Sequence, residues 1–595
     1  MTAGATRTGA LSEFVSLAEQ PARDPITRTL HPERDPDAGP EILERPEGDP
    51  PPEDAPRTVR ARERRGGTVP GVLRQVAFWL LLVLLAGATV ALRAWHQASA
   101  YELFMDEIQY ADVGNSFAAG VGPQLFDEPF FLHPPLLFAL FGWFIGEPVP
   151  HMTVDFVLGL RPIELMFAGV NVVLVVGIAR RVVGPWASLV AGLVYALDPF
   201  VVRFDSRLML EAPMMFGILA GVLALLVAVD RATRPARWTW LVVGGLFWGL
   251  AITTKSTAAL ITAFPLVLMF VMSWGLRRKE AVGVLAVQAS VYTTYIGWVV
   301  ATGNVAPWFD QTIAGTLRAI GVIKQTGFNA PHASSFTDRL LAQGVWFFPS
   351  YLLIGVAVTY STYLLLMGWR SLRVGRPKKS SRPGKRRRQG THARRGECDD
   401  LGLLTCWLAG VLGAIVYTFG LGEVEEQTFY LLAVPSTIVV ALLVTQMASW
   451  RALLRTVATV LVVAVLAASA VIWTTLRTAR DDTYHQLVEY MYANIDVQNE
   501  VAVGEHTAQF VLPGYGIHEL TSVDSARQTF SRYALVSTEL TEQGLAPAPP
   551  ELVDELARRY TLVFTAHGRT AGDLRLYDLN QPLDGTPPVA PGPPR

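Results

Sequence analysis

Four short stretches of this 595-residue chain set ionisable side chains at the ends of long apolar runs, where charge is expensive and therefore informative. The first is Met105-Asp106-Glu107-Ile108-Gln109-Tyr110, two adjacent carboxylates that could take a proton from a hydroxyl. A solvated acid pair is its plainer reading. The second, Phe131-Leu132-His133-Pro134-Pro135-Leu136, holds a histidine before two prolines that can open a helix, and a structural helix start explains the prolines but not His133. The third runs from Arg203 through Arg207 and Glu211 to Pro213; Arg207 and Glu211 are four apart and share one face if the helix already includes Arg207. Its guanidinium groups suit bidentate grip on a phosphate, with an interfacial salt bridge as the alternative. The fourth, Thr253-Thr254-Lys255-Ser256-Thr257, places a cation in a polar patch between apolar runs, where a turn with a snorkelling lysine is the simpler account.

Together these groups supply carboxylates and cations at one membrane boundary, as needed to activate a hydroxyl and stabilise a departing phosphate. Glu423, Glu425 and Glu426 join from a later loop, where solvated acids are the plainer reading.

The elements that must position them are membrane helices. The chain is 51% hydrophobic and 17% charged with mean hydropathy +0.31, against roughly 25% charged in soluble domains. Much of the charge lies in residues 1–70, a Pro-, Glu- and Arg-rich tail expected to stay disordered and cytoplasmic, and in a basic loop over 370–396. No early apolar stretch reads as a signal peptide. A net charge of −1 and this distribution leave no nucleic-acid reading, and two cysteines, Cys398 and Cys406, are too few for a disulfide framework or a metal site.

Apolar runs near 76–93, 162–179, 185–202, 208–229, 238–254, 256–274, 281–301, 345–368, 401–420, 429–448 and 452–475 make about eleven candidate spans; Leu136–Ile145 is too short for the roughly 20 residues needed. With eleven spans every basic loop faces the cytoplasm, and the chain ends outside. The expected fold is therefore mainly α: a polytopic membrane helical bundle over 75–475, with outer loops 94–161 and 302–344, a small extracytoplasmic α/β domain over 476–580, and a Pro-rich end at 581–595. In that domain VAVGEH, YALVSTEL, YTLVFTA and LRLYDL read as strands, and residues 483–495 and 551–560 as helices. Loop 302–344, with Trp308, Lys324 and His332, is either a lid or a static cover.

The order MDEIQYADVGNSFAAG, FFLHPPLLFALFGWFIG, RPIELMFAGVNVVLVVGIARRVVG, YALDPFVVRFDSRLMLEAPMMF and GLFWGLAITTKSTAALI resembles membrane glycosyltransferases of the GT-C class, specifically the protein O-mannosyltransferase and aminoarabinose-transferase-like branch. The resemblance is strong over 75–275 and weaker over 345–450, where EEQTFYLLAVPS is similar to a late span of that family. It implies a multi-pass plasma-membrane enzyme that takes a polyprenyl-phosphate-linked sugar donor and transfers the sugar, with inversion, to an acceptor protein, glycan or lipid at the extracytoplasmic face. Asp106 falls on the catalytic acidic position with Glu107 as its neighbour. His133, Arg207 and Lys255 fall on positions near the lipid phosphate, supported by Glu211, Arg203 and Tyr110. No cofactor is implied, and the branch is metal-independent, although Asp106 and Glu107 could bind a divalent ion. Glu211 stands where many members carry Asp, and the late sugar-binding-like domain of larger members is absent. A transporter or lipid flippase, or a non-catalytic envelope scaffold, are the alternatives; neither accounts for five motifs in this order.

Overall fold

The computed structural model describes residues 69–319, 322, 336–374, 388–420, 426–448 and 452–583, all within the compact unit Gly67–Arg595. The N-terminal tail apart from its last two positions, Lys324, His332, Glu423, Glu425, residues 375–387 of the basic loop and the end beyond 583 lie outside the described residues, as do the side chains of Cys398 and Glu426.

The chain is a polytopic helical membrane protein with a small sheet domain near its C-terminus. It opens with α1 (Val69–Ala94), a short α2 (Gln97–Ala100), α3 (Met105–Ala118), a hairpin of β1 (Gln124–Leu125) and β2 (Glu128–Pro129), and α4 (Leu136–Ile145). Then come α5 (Val154–Leu160), α6 (Pro162–Val183), α7 (Pro185–Leu197), α8 (Pro199–Phe204), α9 (Glu211–Asp230), α10 (Arg234–Thr254), α11 (Ala258–Met272) and α12 (Arg278–Ala301). The bundle closes with α13 (Val305–Ala319), α14 (Phe336–Val374), α15 (Arg388–Gly420), α16 (Glu426–Ala448) and α17 (Ala452–Thr478).

By length and composition, eight helices among the described residues can cross a membrane. Of the eleven expected spans, the three outside that set are α7 with 13 residues, α11 with 15, and α10, which has 21 and carries two arginines in its first turn. The apolar run 185–202 is divided because Asp198 caps α8 through Val201 N at 2.9 Å and Pro199 opens a new helix. Likewise Lys255 adopts extended backbone and ends α10, so α11 starts only at Ala258.

Small residues set the helix spacing. A Cβ on Gly221 would meet the Trp248 ring at 2.2 Å, and one on Gly249 would meet Val291 Cβ at 2.6 Å, so α10 lies close between α9 and α12. Trp248 Nε1 donates to Ile218 O at 3.1 Å across the first of these contacts. Helices α3 and α4 meet in the same way, where a Cβ on Gly142 would stand 2.6 Å from Phe117 Cβ.

The C-terminal part comprises α18 (Thr483–Asn494), β3 (Glu500–Val503), α19 (Ala508–Val511), β4 (Gly516–Glu519), α20 (Val523–Gln528), β5 (Tyr533–Ser537), α21 (Thr538–Glu542), α22 (Pro550–Arg559), β6 (Tyr560–Gly568) and β7 (Gly572–Pro582). The sheet order is β4-β3-β5-β7-β6, parallel on the β4-β3-β5 side and antiparallel on the other. Every residue of β5 is buried, which explains its unbroken apolar run. The domain is seated on the connection from α1 to α3. Asp481 N donates to Ser99 O at 2.8 Å, Glu102 Oε2 accepts Thr483 Oγ1 at 2.7 Å, and Phe126 of the β1–β2 turn stacks on Phe510 with centroids 4.1 Å apart.

Candidate active site

Helix α3 begins with its two carboxylates in the first turn, where the unpaired N–H groups favour negative charge. The two then diverge. Glu107 is fully buried and takes Arg161 Nε on Oε2 at 2.8 Å and Arg161 Nη2 on Oε1 at 2.9 Å, the fork-on-carboxylate geometry. It also accepts Phe104 N at 3.2 Å and Leu208 N at 2.9 Å. Arg161, at the entry of α6, spends its remaining N–H groups on Gln97 O, Tyr101 O and Glu102 O. One ion pair thus ties the start of α3 to α6 and to the turn before α9.

Asp106 is half-buried and faces a different partner: Gln427 Nε2 of α16 donates to Asp106 Oδ2 at 3.2 Å. The carbonyl end of the same amide accepts Lys255 Nζ, and Lys255 Nζ also pairs with Glu211 Oε1 at 2.6 Å, both side chains buried. A relay therefore runs Glu211–Lys255–Gln427–Asp106 across α9, the α10–α11 turn, α16 and α3. Glu211 Oε2 is buried with no hydrogen-bond partner among the described residues.

The remaining candidates are Tyr110, His133, Arg203 and Arg207. Tyr110, one turn after Asp106 and buried, meets the His133 ring edge-on with centroids 5.9 Å apart, and His133 also flanks Phe130 at 6.1 Å. Pro135, two residues after His133, is the N-cap of α4. Arg203 lies over the Phe347 ring at 5.4 Å.

Arg207 does not form the i,i+4 pair with Glu211 that a longer helix allows, because α9 starts at Glu211 itself. Its guanidinium instead stands 4.0 Å from Glu107 Oε1, lies 5.7 Å from the centres of the Tyr101 and Phe104 rings, and donates from Nη2 to Thr570 Oγ1 at 3.3 Å. Burial, and then the positive charge of Arg203, lower its pKa to about 10.

Two residues of this site escaped the sequence reading. Arg161 sits before Pro162 and reads as a helix start; Gln427 is uncharged. Both lie inside quoted motifs, RPIELMF and EEQTFYLLAVPS. A third element is a buried carboxylate between the helices: Asp205 Oδ2 takes Arg93 Nε at 2.9 Å and Tyr195 OH at 2.8 Å, and Oδ1 takes Tyr430 OH at 2.7 Å. Tyr430 follows Gln427 by three residues on α16, so this network fixes the helix that carries the relay glutamine. Among the described residues no group of three or more His, Cys, Asp or Glu side chains could hold a metal ion.

In Archaeoglobus fulgidus, the archaeal oligosaccharyltransferase AglB in complex with an inhibitory peptide and a dolichol-phosphate is similar in structure, with a TM-score of 0.50 and 12% identity over 84% of this chain and 74% of that one. The fold is that of the GT-C glycosyltransferases. Residues 151–298, which hold Arg161, Arg203, Arg207, Glu211 and Lys255, match the dolichyl-phosphate-mannose-protein mannosyltransferase family. ArnT from Cupriavidus metallidurans bound to undecaprenyl phosphate aligns over 89% of this chain and all of that one, at 13% identity and a TM-score of 0.46. Comparison with curated proteins by sequence found no match.

Proposed function

We propose that this GT-C protein is an inverting glycosyltransferase that moves a sugar from a polyprenyl-phosphate carrier to an acceptor hydroxyl at the extracytoplasmic face of the plasma membrane. The observation that carries the reading is the relay in which one glutamine, Gln427, joins a carboxylate at a helix start, Asp106, to a buried cation, Lys255. A base for the acceptor and a positive charge for the leaving group are thereby held by one rigid amide. The match of residues 151–298 to a dolichyl-phosphate-mannose-dependent family supports a lipid phosphate as carrier, as does the dolichol-phosphate held by AglB in this fold.

In the reaction the acceptor oxygen attacks the anomeric carbon from the face opposite the phosphate. Its proton passes to Asp106, the C–O bond to phosphate breaks, and the polyprenyl phosphate leaves with the bonding pair, so the configuration inverts. Lys255, Arg207 and His133 meet the phosphate charge; cations fixed beforehand need no reorganisation as that charge moves. Glu107 has its oxygens engaged by Arg161 and two backbone N–H groups, so its part is to hold the first turn of α3, and with it Asp106, in place. Arg203, Glu211 and Tyr110 support these groups. The basic loops set the orientation, N-terminus cytoplasmic and C-terminus extracytoplasmic.

Purified protein given a polyprenyl-phosphate-linked hexose with radiolabelled sugar, plus a delipidated envelope fraction as acceptor, is expected to release free polyprenyl phosphate and label the acceptor. Label that stays on the lipid at all protein concentrations contradicts the proposal.

A further inference from the structure

Arg207 belongs to the membrane part of the chain, while the hydroxyl that holds its guanidinium belongs to the C-terminal domain. Thr570, in the turn between β6 and β7, accepts Arg207 Nη2 at 3.3 Å and donates its own hydroxyl to Asp481 Oδ2 at 2.8 Å. Its backbone N–H donates to the other oxygen, Asp481 Oδ1, at 3.0 Å. Asp481 is fully buried and is paired with Arg569 Nη2 at 3.0 Å, which also donates to Ala100 O at 2.8 Å. The Thr570 hydroxyl has no rotational choice left: its proton is committed to the carboxylate, and a lone pair is turned to Arg207.

The turn itself is held at Gly572, whose φ of +62° suits glycine and whose added Cβ would fall 2.6 Å from Thr538 Oγ1. Around Arg207, Tyr101 and Phe104 exclude water from the guanidinium. Its Nε is buried and faces Glu107 Oε1 at 4.0 Å, beyond hydrogen-bond distance.

We infer that Thr570, oriented by Asp481, is a positioning residue for phosphate binding: with Glu107 on one side of the Arg207 guanidinium and Thr570 on Nη2, it fixes the orientation in which Arg207 meets the phosphate of the polyprenyl carrier. The inference rests on the reading of Arg207 as a phosphate ligand. It makes the C-terminal domain part of the donor site through one hydroxyl, with no contact between Thr570 and the donor.

The test measures binding of undecaprenyl phosphate to the full chain in detergent, with uncharged undecaprenol as control, for the parent protein and for Arg207→Gln, Thr570→Val, Thr570→Ala and Thr570→Ser. Losing one hydrogen bond to a charged group predicts binding weakened about tenfold in Thr570→Val and Thr570→Ala. Thr570→Ser, which keeps the hydroxyl, is expected to bind as the parent does, and undecaprenol binding is expected to stay constant throughout. If Arg207→Gln weakens binding while Thr570→Val and Thr570→Ala do not, the positioning role is wrong and the phosphate reading stands. If Arg207→Gln binds as the parent does, the phosphate reading of Arg207 itself is wrong. If serine fails as valine does, the hydroxyl is not the cause and the inference is overturned.

Discussion

Lys255 and Glu211 form a buried ion pair at 2.6 Å, and such a pair is worth less than the cost of breaking it. Lys255→Met leaves Glu211 charged and uncompensated, so it is expected to destabilise the protein by about 3–5 kcal/mol. The double replacement Lys255→Met/Glu211→Met is expected to regain most of that stability, read by thermal unfolding in detergent, while sugar transfer stays lost in both. Recovery of activity together with stability would assign the pair to structure alone. Charge in apolar surroundings made Asp106, His133, Arg207, Glu211 and Lys255 legible in the sequence. The bonds between them were not, because they pass through Gln427, a neutral side chain 172 residues after Lys255 and 321 after Asp106. The Arg207–Glu211 pairing that a helix through Arg207 would allow is not made, for a local reason: α9 starts only at Glu211, and the pairing rule holds only within a helix.

At the level of elements, apolar runs and hydrophobic period located the long membrane helices, α18, α22 and four of the five strands of the C-terminal sheet, while the short helices α2, α5, α8, α19, α20 and α21 were not foreseen. The missing strand, β4, is a short edge of Gly516–Glu519 with a histidine and a glutamate, and it forms only because β3 offers a parallel partner. The β1–β2 hairpin, two residues a side, was equally invisible. Helix packing makes the sharper prediction. Gly221→Val pushes a side chain into Trp248 and is expected to cost about 1–3 kcal/mol or more, with loss of the Trp248–Ile218 hydrogen bond. Gly87→Ala in α1, where an added Cβ meets nothing within 4 Å, is expected to be neutral or to stabilise by up to about 1 kcal/mol. Thermal unfolding of the two variants against the parent checks the contrast; equal effects would mean that α9 and α10 do not meet as described.

For the whole molecule, the seating of the C-terminal domain on the membrane helices is the largest feature that local sequence could not show. Arg207 and Thr570 are 363 residues apart, and Glu102 and Thr483 are 381 apart. Burial, aided by the charge of Asp481, raises the pKa of Glu102 from 4.5 to about 8. The sign follows from proton count: between these values the folded protein keeps a proton that the unfolded chain has released. This contribution to stability is therefore fully present below about pH 4.5 and is lost as pH rises to about 8. Glu102→Gln fixes the neutral form and is expected to flatten that slope in unfolding temperature between pH 5 and 8, at the cost of the acceptor for Leu103 N. An unchanged slope would place the titrating group elsewhere.

In the proposed reaction Asp106 takes a proton from the acceptor while cations hold a lipid phosphate. The most direct measurement is the turnover of a polyprenyl-phosphate-linked sugar by Asp106→Asn, taken alongside the affinity of the same preparation for undecaprenyl phosphate. Turnover is expected to fall by about 10²–10⁴-fold with affinity unchanged; turnover at the parent rate would remove Asp106 from the role of base.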